Sequence, residues 1–191
     1  LTSADNLDTL MKNGWYYYDT SNAPQGTLPT ALASYANLVS VSVAGASCVQ
    51  EAFDTSDSSL HGTVLRRTVY GLGAGAKIYP WEWVNPPLST DVEYRTTERY
   101  LGKPVYVKLV DCGTIPAQGT HKDLIFSPDA SAIVSVAAYS PMRGNTLPYY
   151  DTNGVRFSIA GSGKTVMIWN YSESMLDTNV YALVKYTKTT D

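Results

Sequence analysis

Hydrophobic and polar residues alternate with a period of two along much of the first half of the chain, a spacing typical of β-strands. Together with local aromatic enrichment, the alternation predicts strands over Trp15 to Tyr18, Leu38 to Val43, Cys48 to Phe53 and Thr63 to Tyr70. Groups of Gly, Pro, Asn and Asp separate these segments and predict turns between them. This part of the chain is therefore predicted to be an antiparallel β-structure.

The second half of the chain is more plainly β. Short apolar segments recur there, again separated by turn residues. Strands at this spacing favour an antiparallel sandwich or jelly roll. Leu101 to Pro104 are predicted to form the loop of the first hairpin. The predicted strands run from Tyr94 to Tyr100, Val105 to Val110, Ala132 to Tyr139, Val155 to Ala160, Thr165 to Asn170 and Val180 to Thr187.

One short helix is predicted near the start of the chain. Asp5 or Asn6 can cap its N-terminus, because both side chains accept hydrogen bonds from free backbone N–H groups. Asn13-Gly14 can end it, since both residue types tolerate the left-handed conformation that closes helices. The first part is thus predicted to combine a short helix with antiparallel strands.

The paired prolines Pro86 and Pro87 mark a boundary between two predicted domains. Proline cannot donate a backbone hydrogen bond, and it pushes the preceding Asn85 towards an extended conformation. A strand or helix therefore ends here, and a new hairpin follows. We predict domains over residues 1–87 and 88–191, each of which can bury a core.

Composition argues against several classes of partner. The chain has 191 residues, 16% of them charged, and a net charge of -3. Nucleic-acid binding needs clustered Lys and Arg, which this chain lacks. No apolar run approaches the roughly 20 residues that span a bilayer, and no signal peptide opens the chain, so membrane insertion is not expected. The start at Leu1 is interpreted as a piece of a longer chain or a processed product.

The two cysteines are predicted to be buried free thiols. Cys48 lies within one predicted strand, and Cys112 lies at the end of another. A bridge between them would join the two predicted domains, and this alternative stays open.

Two glycine-rich segments imitate nucleotide-binding motifs. Gly161 to Thr165 ends like a P-loop, but that motif requires Gly where this chain has Ser158, and a strand is predicted to follow. Gly71 to Ala76 imitates a dinucleotide loop, but Pro80 forbids a long helix after it. Both segments are therefore predicted to be turns or loops, and no cofactor is expected.

The histidines and acidic residues form no recognisable catalytic or metal-binding set. His61 and His121 lie in segments predicted to be surface turns, and no nucleophile elbow surrounds any Ser. Asp54 and Asp57 lack the ligand spacing of a calcium loop, and the sequence has no His or Cys cluster. No metal site is predicted.

Several short motifs follow one another along residues 5–83. They are Asp5-Asn6-Leu7, Gly14 followed by Trp15 to Tyr18, Asn22-Ala23-Pro24, Val49-Gln50-Glu51, Arg67-Thr68-Val69-Tyr70 and the pair Trp81 and Trp83. In this order they resemble the knob domain of phage tail fibres and of the related R-type pyocins. The resemblance implies a small knob domain over residues 1–87.

A second group of motifs continues to the C-terminus, at Trp81 to Pro87, Glu93 to Arg99, Gly102 to Lys108 and Tyr186 to Asp191. These motifs resemble the distal head of tail fibres from phages and prophages of gut and Gram-positive bacteria. The resemblance implies a homotrimer at the tip of a virion fibre, joined to an upstream shaft, that binds a host cell-surface glycan or another surface receptor. Phage and phage-derived bacteriocin both stay open, as does an ion on the threefold axis.

Catalysis is one alternative, since tail-tip proteins can be polysaccharide depolymerases, which need two carboxylates. Glu93 and Glu98 differ in strand parity and so face opposite sides of a regular strand. The chain is therefore predicted not to be an enzyme, and a purely structural or trimerising fibre segment is the other alternative. Cross-strand ion pairs are predicted instead for both acids, with nearby basic residues Arg95, Arg99, Lys103 and Lys108.

Glycan binding needs exposed aromatic rings for the apolar face of a sugar and polar groups for its hydroxyls. The segment richest in both is the predicted turn over residues 143–153. Its candidate receptor-binding residues are Arg143, Asn145, Tyr149, Tyr150, Asp151 and Asn153.

Other aromatic residues are assigned chiefly to packing. A second candidate segment spans Trp169 to Glu173, but Trp169 alternates with Met167 and is predicted to be core. Trp15 to Tyr18 and Trp81 to Trp83 are predicted to pack within the first domain and at its junction.

Overall fold

The computed structural model describes residues 1–29, 36–55, 62–71, 75–124, 126–140, 145–147, 155–159, 165–171 and 179–190. Within these ranges the chain consists of antiparallel strands joined by turns, which confirms the mainly β fold class. No helix among these residues is long and apolar enough to cross a membrane. In chain order the strands are β1 (Gly14–Asp19), β2 (Ala36–Ala44), β3 (Ser47–Asp54), β4 (Val64–Tyr70), β5 (Lys77–Ile78), β6 (Glu82–Trp83), β7 (Glu93–Tyr100), β8 (Lys103–Thr114), β9 (His121–Leu124), β10 (Ala130–Ser140), β11 (Asn145–Leu147), β12 (Val155–Ile159), β13 (Val166–Asn170) and β14 (Asn179–Lys188).

The chain divides into two compact units, Leu1–Pro87 and Leu88–Asp191. This division follows the paired prolines Pro86 and Pro87, where the sequence predicts a boundary. That the first unit is a knob and the second a head stays a prediction.

The first unit contains an antiparallel sheet in the order β1-β2-β3-β4, with β5 and β6 both paired to β4. Burial alternates along its strands because successive side chains point to opposite faces. The buried positions of β4 are Leu65, Arg67 and Val69. Val39 and Ala52 lie beside Leu65 in register and are also fully buried, so one face of the sheet is core.

The helix predicted near the start is not confirmed. The structure has a single 3-10 turn at Leu7–Thr9, capped by Asn6, whose side chain accepts a hydrogen bond from the Asp8 N–H. The flanking backbone groups bond elsewhere: Leu7 N–H donates to the Gln25 carbonyl at 2.9 Å, and Gln25 N–H donates to the Asp5 carbonyl at 2.8 Å. Because these groups pair with a distant segment, they cannot continue a helix.

A charged cluster lies in the core of the first unit, centred on the fully buried side chain of Arg67. Its Nε donates to Oε1 of Gln50 at 2.8 Å, and its Nη1 donates to the Thr27 carbonyl at 2.9 Å. Nη1 also lies 2.8 Å from Oδ1 of Asp8, and the guanidinium lies 4.5 Å from the ring centroid of Trp81. We call these five residues the Arg67 cluster. Burial lowers the pKa of Arg67, whereas the charge of Asp8 opposes that shift.

The second unit contains two antiparallel sheets. One has the order β7-β8-β14-β10-β11, and the other has the order β12-β13-β9. Both contribute to one hydrophobic core, since Val166 and Ile168 of β13 cluster with Val184 and Tyr186 of β14. Within this core the rings of Phe126 and Tyr186 contact each other, with centroids 4.9 Å apart.

The strand β9 was not predicted from the sequence, which places His121 in a turn. In the structure His121 begins β9 and lies opposite Trp169 of β13. The residues His121, Lys122 and Asp123 carry no apolar alternation, so only the pairing with β13, which is distant in sequence, makes this segment a strand.

The turn between β7 and β8 is tighter than predicted. Only Leu101 and Gly102 form it, with φ values of 50° and 79°, while Lys103 and Pro104 belong to β8. Two residues with positive φ are the requirement of a type I′ hairpin. Pro104 pairs with Arg99, next to an irregularity in the register, where a missing N–H is tolerated.

Leu101→Asn is expected to raise the free energy of unfolding by about 1 kcal/mol, because Asn tolerates the left-handed conformation that costs Leu strain. The Leu101 side chain is 88% exposed, so its removal costs little packing. Urea denaturation measures the change in the free energy of unfolding. Leu101→Ala is the control, because Ala at this position keeps the strain of the left-handed conformation, so its free energy of unfolding should not rise by a similar amount. Equal stability of the Asn and Ala variants would contradict the prediction.

Both cysteines are free and buried in the structure, which confirms the predicted thiols. Burial raises the pKa of Cys112 to about 12 and also raises the pKa of Cys48. The thiolate is the reactive form, so neither side chain is suited to nucleophilic chemistry near neutral pH.

Candidate functional site

Most of the predicted receptor-binding loop lies outside the described residues. Asn145 begins β11 and lies opposite Ser140 in register, but its side chain is not described. The predicted site residues outside the described part of the chain are Arg143, Tyr149, Tyr150, Asp151 and Asn153.

A different aromatic surface lies on the β12-β13-β9 sheet. Along β13 the buried positions are Val166, Ile168 and Asn170, so Met167 and Trp169 lie on the opposite face. The prediction that Trp169 is core is therefore wrong. Both faces of β13 carry large apolar side chains, so alternation alone could not tell which one faces the core.

Three rings on this face contact one another in a row, which we call the ring row: His121, Trp169 and Tyr171. The His121 and Trp169 centroids are 4.4 Å apart at an interplanar angle of 29°. Those of Trp169 and Tyr171 are 6.2 Å apart at 12°. Tyr171 is 40% exposed, and the His121 side chain is also exposed. The row thus presents aromatic surface to solvent.

Hydrogen bonds around the buried Asn170 fix the end of the ring row. Its side-chain Nδ2 donates to the Pro116 carbonyl at 2.8 Å, and its backbone N–H donates to the Thr120 carbonyl at 3.2 Å. Gly119 N–H donates back to the Asn170 carbonyl at 2.8 Å. These hydrogen bonds join the loop before β9 to the end of β13 and so fix the position of the backbone that precedes Tyr171.

A carboxylate flanks the ring row. The exposed carboxylate of Asp123 lies two positions from His121 on the same strand, with Oδ1 3.9 Å from its Nε2. That distance is too long for a hydrogen bond, so the carboxylate retains acceptor capacity for a ligand hydroxyl. Rings with adjacent acceptors are the chemistry that binds a sugar.

The aromatic residues assigned to the first domain divide into two groups. Tyr18 and Trp83 are buried, and Trp81 contacts Arg67, as a packing role requires. Trp15 and Tyr17 are instead largely exposed, so their assignment to packing is wrong. The period of two along β1 could have indicated this, because it sends alternate side chains to opposite faces.

The two acids considered for catalysis are both engaged in ion pairs. Glu93 lies 2.5 Å from the Nζ of Lys188 and accepts a hydrogen bond from the Tyr186 hydroxyl. Glu98 lies 2.5 Å from the Nζ of Lys185. Burial and the bond to Glu93 raise the pKa of Tyr186. Ion pairs form as predicted, but both lysines belong to β14, whose place beside β8 is not visible in the sequence.

The remaining sequence candidates give no site. The described residues hold no group of three or more His, Cys, Asp and Glu side chains that could bind a metal. His61 and residues 161–164 of the P-loop imitation lie outside the described residues, as do residues 72–74 of the dinucleotide-loop imitation. A strand, β13, does follow Thr165, where a P-loop would require a helix.

The chain matches no protein-family model and no curated protein sequence. Among solved structures, it is similar to an N-truncated R2-type pyocin tail fibre at 11% identity and a TM-score of 0.30, over 96% of this chain and 94% of that one. It is also similar to a C-terminal part of the P. aeruginosa R1 pyocin fibre at 15% identity and a TM-score of 0.30, over 95% of this chain and 64% of that one. At this TM-score neither likeness carries an argument about fold or function.

Proposed function

We propose that the chain is the receptor-binding tip of a phage or phage-derived tail fibre, which binds a host cell-surface glycan without catalysis. The order of the knob and head motifs along the chain supports the assignment to a tail fibre. The observation that carries glycan binding is the ring row, because three contacting rings lie on a solvent-facing sheet beside the exposed carboxylate of Asp123. The active form is a homotrimer joined to an upstream shaft.

A sugar fits this surface for a physical reason. A pyranose presents an apolar C–H face and a rim of hydroxyls, so it gains from an aromatic ring below it and from acceptors at its edge. Tyr171 offers the exposed ring, and Asp123 offers the acceptor. Trp169 contacts the rings on both sides and so holds the row in place.

Binding without catalysis is supported by the state of the acids that hydrolysis would need. A glycosidase requires a proton donor and a free carboxylate on either side of the scissile bond. Glu93 and Glu98 each form an ion pair with a lysine of β14. They therefore do not form the pair of a proton donor and a free carboxylate that hydrolysis requires. A depolymerase would release reducing ends from host polysaccharide and lose that activity on Glu98→Gln.

A glycan array and a host-cell adsorption assay with the full chain test the proposal. We expect binding to a defined set of glycans and to host cells, and light scattering at micromolar concentration should give the mass of a trimer. An assembled trimer that binds neither glycans nor cells would overturn the proposal. Replacement of residues 143–153 distinguishes the predicted loop from the ring row, because binding through the ring row should survive it.

A further inference from the structure

The outer face of the first unit's sheet carries two adjacent rows of side chains that cross β1 to β4 in register. These positions lie opposite the buried face, so they do not belong to the core of the unit. One row consists of apolar and aromatic residues, and the other consists of one tryptophan and three polar or charged residues. The first row is Tyr17, Leu38, Phe53 and Val64, and the second is Trp15, Ser40, Glu51 and Arg66.

Trp15 and Tyr17 dominate this surface. They are 66% and 55% exposed, and their spacing of two residues places both rings on one face of β1. Phe53 supports Trp15 from the apolar row, with ring centroids 5.5 Å apart and an interplanar angle of 36°. The rings are thus mounted on a hydrogen-bonded sheet, which restricts their movement before any ligand arrives.

Polar groups lie in register with Trp15. Arg66 donates from Nε and Nη2 to Oε1 of Glu51, at 2.9 and 2.5 Å, and both side chains remain partly exposed. Ser40 stands between Trp15 and Glu51 in the register. A saccharide that extends from Trp15 along this row would therefore meet a hydroxyl, a carboxylate and a guanidinium on the three strands that follow.

We infer that this face is a second saccharide-binding surface, specific for neutral sugars, so that the chain binds glycan through both of its units. The inference rests on the proposed function and extends it to the first unit. An apolar sugar face would stack on Trp15 and Tyr17, while its hydroxyls would bond to Ser40, Glu51 and Arg66. Glu51 pairs with Arg66, and Glu82 lies opposite Arg66 in the register of β4 and β6, so the row carries no net positive charge and favours a neutral over an acidic sugar.

A contact with another protein fits this face less well. Protein interfaces are enriched in Trp, Tyr and Arg but depleted of Glu, whereas the row that contains Trp15 holds Glu51 in a partly exposed ion pair with Arg66. A sugar needs this combination of ring and charged hydrogen-bonding groups side by side. A second copy of the chain is the alternative occupant that the test must separate.

The test measures the full chain on an array of neutral and acidic glycans, as wild type and as Trp15→Ala. The variant should bind neutral glycans about tenfold or more weakly, since exposed aromatic anchors dominate such contacts. Tyr70→Ala is the matched control, because Tyr70 is 62% exposed on the same face of β4 but lies opposite Ser47, outside both rows. It should bind as the wild type does. If thermal melting shows that the Ala variant is unfolded, Trp15→Gln replaces it, because Gln removes the ring but keeps a longer side chain than Ala.

The outcomes separate this inference from the proposed function. Wild-type glycan binding that Trp15→Ala leaves unchanged overturns this inference alone. A wild type that binds no glycan overturns both. A smaller particle mass for Trp15→Ala in light scattering would assign the face to contact between copies and also overturn the inference.

Discussion

Asp8→Ala is expected to lower the free energy of unfolding by about 3–5 kcal/mol, the cost of leaving a buried charge without its partner. The Arg67 side chain is fully buried, and its Nη1 lies 2.8 Å from Oδ1 of Asp8. Asp8 also orders the neighbouring chain, since its Oδ2 accepts from the Thr27 N–H at 2.9 Å and from the Thr27 hydroxyl at 3.1 Å. The variant therefore removes the counter-charge and two further bonds together.

Arg67 has little capacity to compensate for the loss. Among the described residues its Nη2 has no hydrogen-bond partner, although it is buried. The guanidinium keeps only the carbonyl of Thr27, the amide oxygen of Gln50 and the face of Trp81. In a water-excluded site these neutral groups offset the charge only in part. The Arg67 cluster should therefore come apart, and the first unit should lose cooperative folding first.

Glu51→Ala is the matched control for stability, because it breaks an ion pair of the neighbouring arginine on the same strand. Nη2 of Arg66 lies 2.5 Å from Oε1 of Glu51, but the two side chains are 48% and 28% exposed. An exposed pair contributes about 0–1 kcal/mol, since water solvates both charges when the pair is broken. Urea denaturation followed by tryptophan fluorescence measures both variants. Equal losses for Asp8→Ala and Glu51→Ala would show that Asp8 does not stabilise the core as a counter-charge.

Tyr171→Ala is expected to weaken glycan binding about thirtyfold, which corresponds to the roughly 2 kcal/mol of a central aromatic contact. The variant removes the exposed end of the ring row while leaving the contact between Trp169 and His121 in place. Stability should change little, because the Tyr171 ring lies at the surface. Titration of the best-bound array glycan by calorimetry measures the affinity.

Tyr79→Ala is the matched control for this second effect. Tyr79 has the same exposed fraction as Tyr171, 40%, but lies in the first unit with the ammonium of Lys77 4.8 Å from its ring centroid. Loss of Tyr79 should leave glycan affinity unchanged. If both tyrosine variants weaken binding alike, the ring row is not the specific contact. If neither does, binding does not depend on the ring row, and the segment over residues 143–153 and the first-unit face that contains Trp15 become the stronger candidates.

Local patterns account for most of the strands. Alternation along Cys48 to Phe53 and Thr63 to Tyr70 is a property of adjacent residues, and the structure confirms strands at both. The 3-10 turn at Leu7–Thr9 and the strand β9 were missed because distant partners decide them. Leu7 donates a hydrogen bond to Gln25, and His121 pairs with Trp169. Both partners lie too far along the chain for a pattern of neighbouring residues to reveal them.

The candidate site depended on tertiary structure to a greater degree. Trp169 and Trp15 were both recognised as aromatic residues in strands, but their predicted burial was wrong. Odd and even positions of a strand lie on opposite faces, but this alternation does not show which face is core. Where both faces carry apolar residues, the sequence does not show it either. The register with neighbouring strands placed Trp169 beside His121 and Trp15 beside the row of Glu51 and Arg66.

By itself, the sequence determined the β class, most of the strands, the buried thiols and the motif order on which the tail-fibre proposal rests. These features depend on residue type and short-range spacing, which a single chain displays directly. Only the tertiary structure decided which aromatic faces meet water and which charges meet one another. Arg67 is buried at the centre of a charged cluster, and Glu93 forms its ion pair with Lys188 rather than with a lysine of its own hairpin. Such contacts join residues far apart in sequence, and their free energy depends on burial that no local pattern specifies.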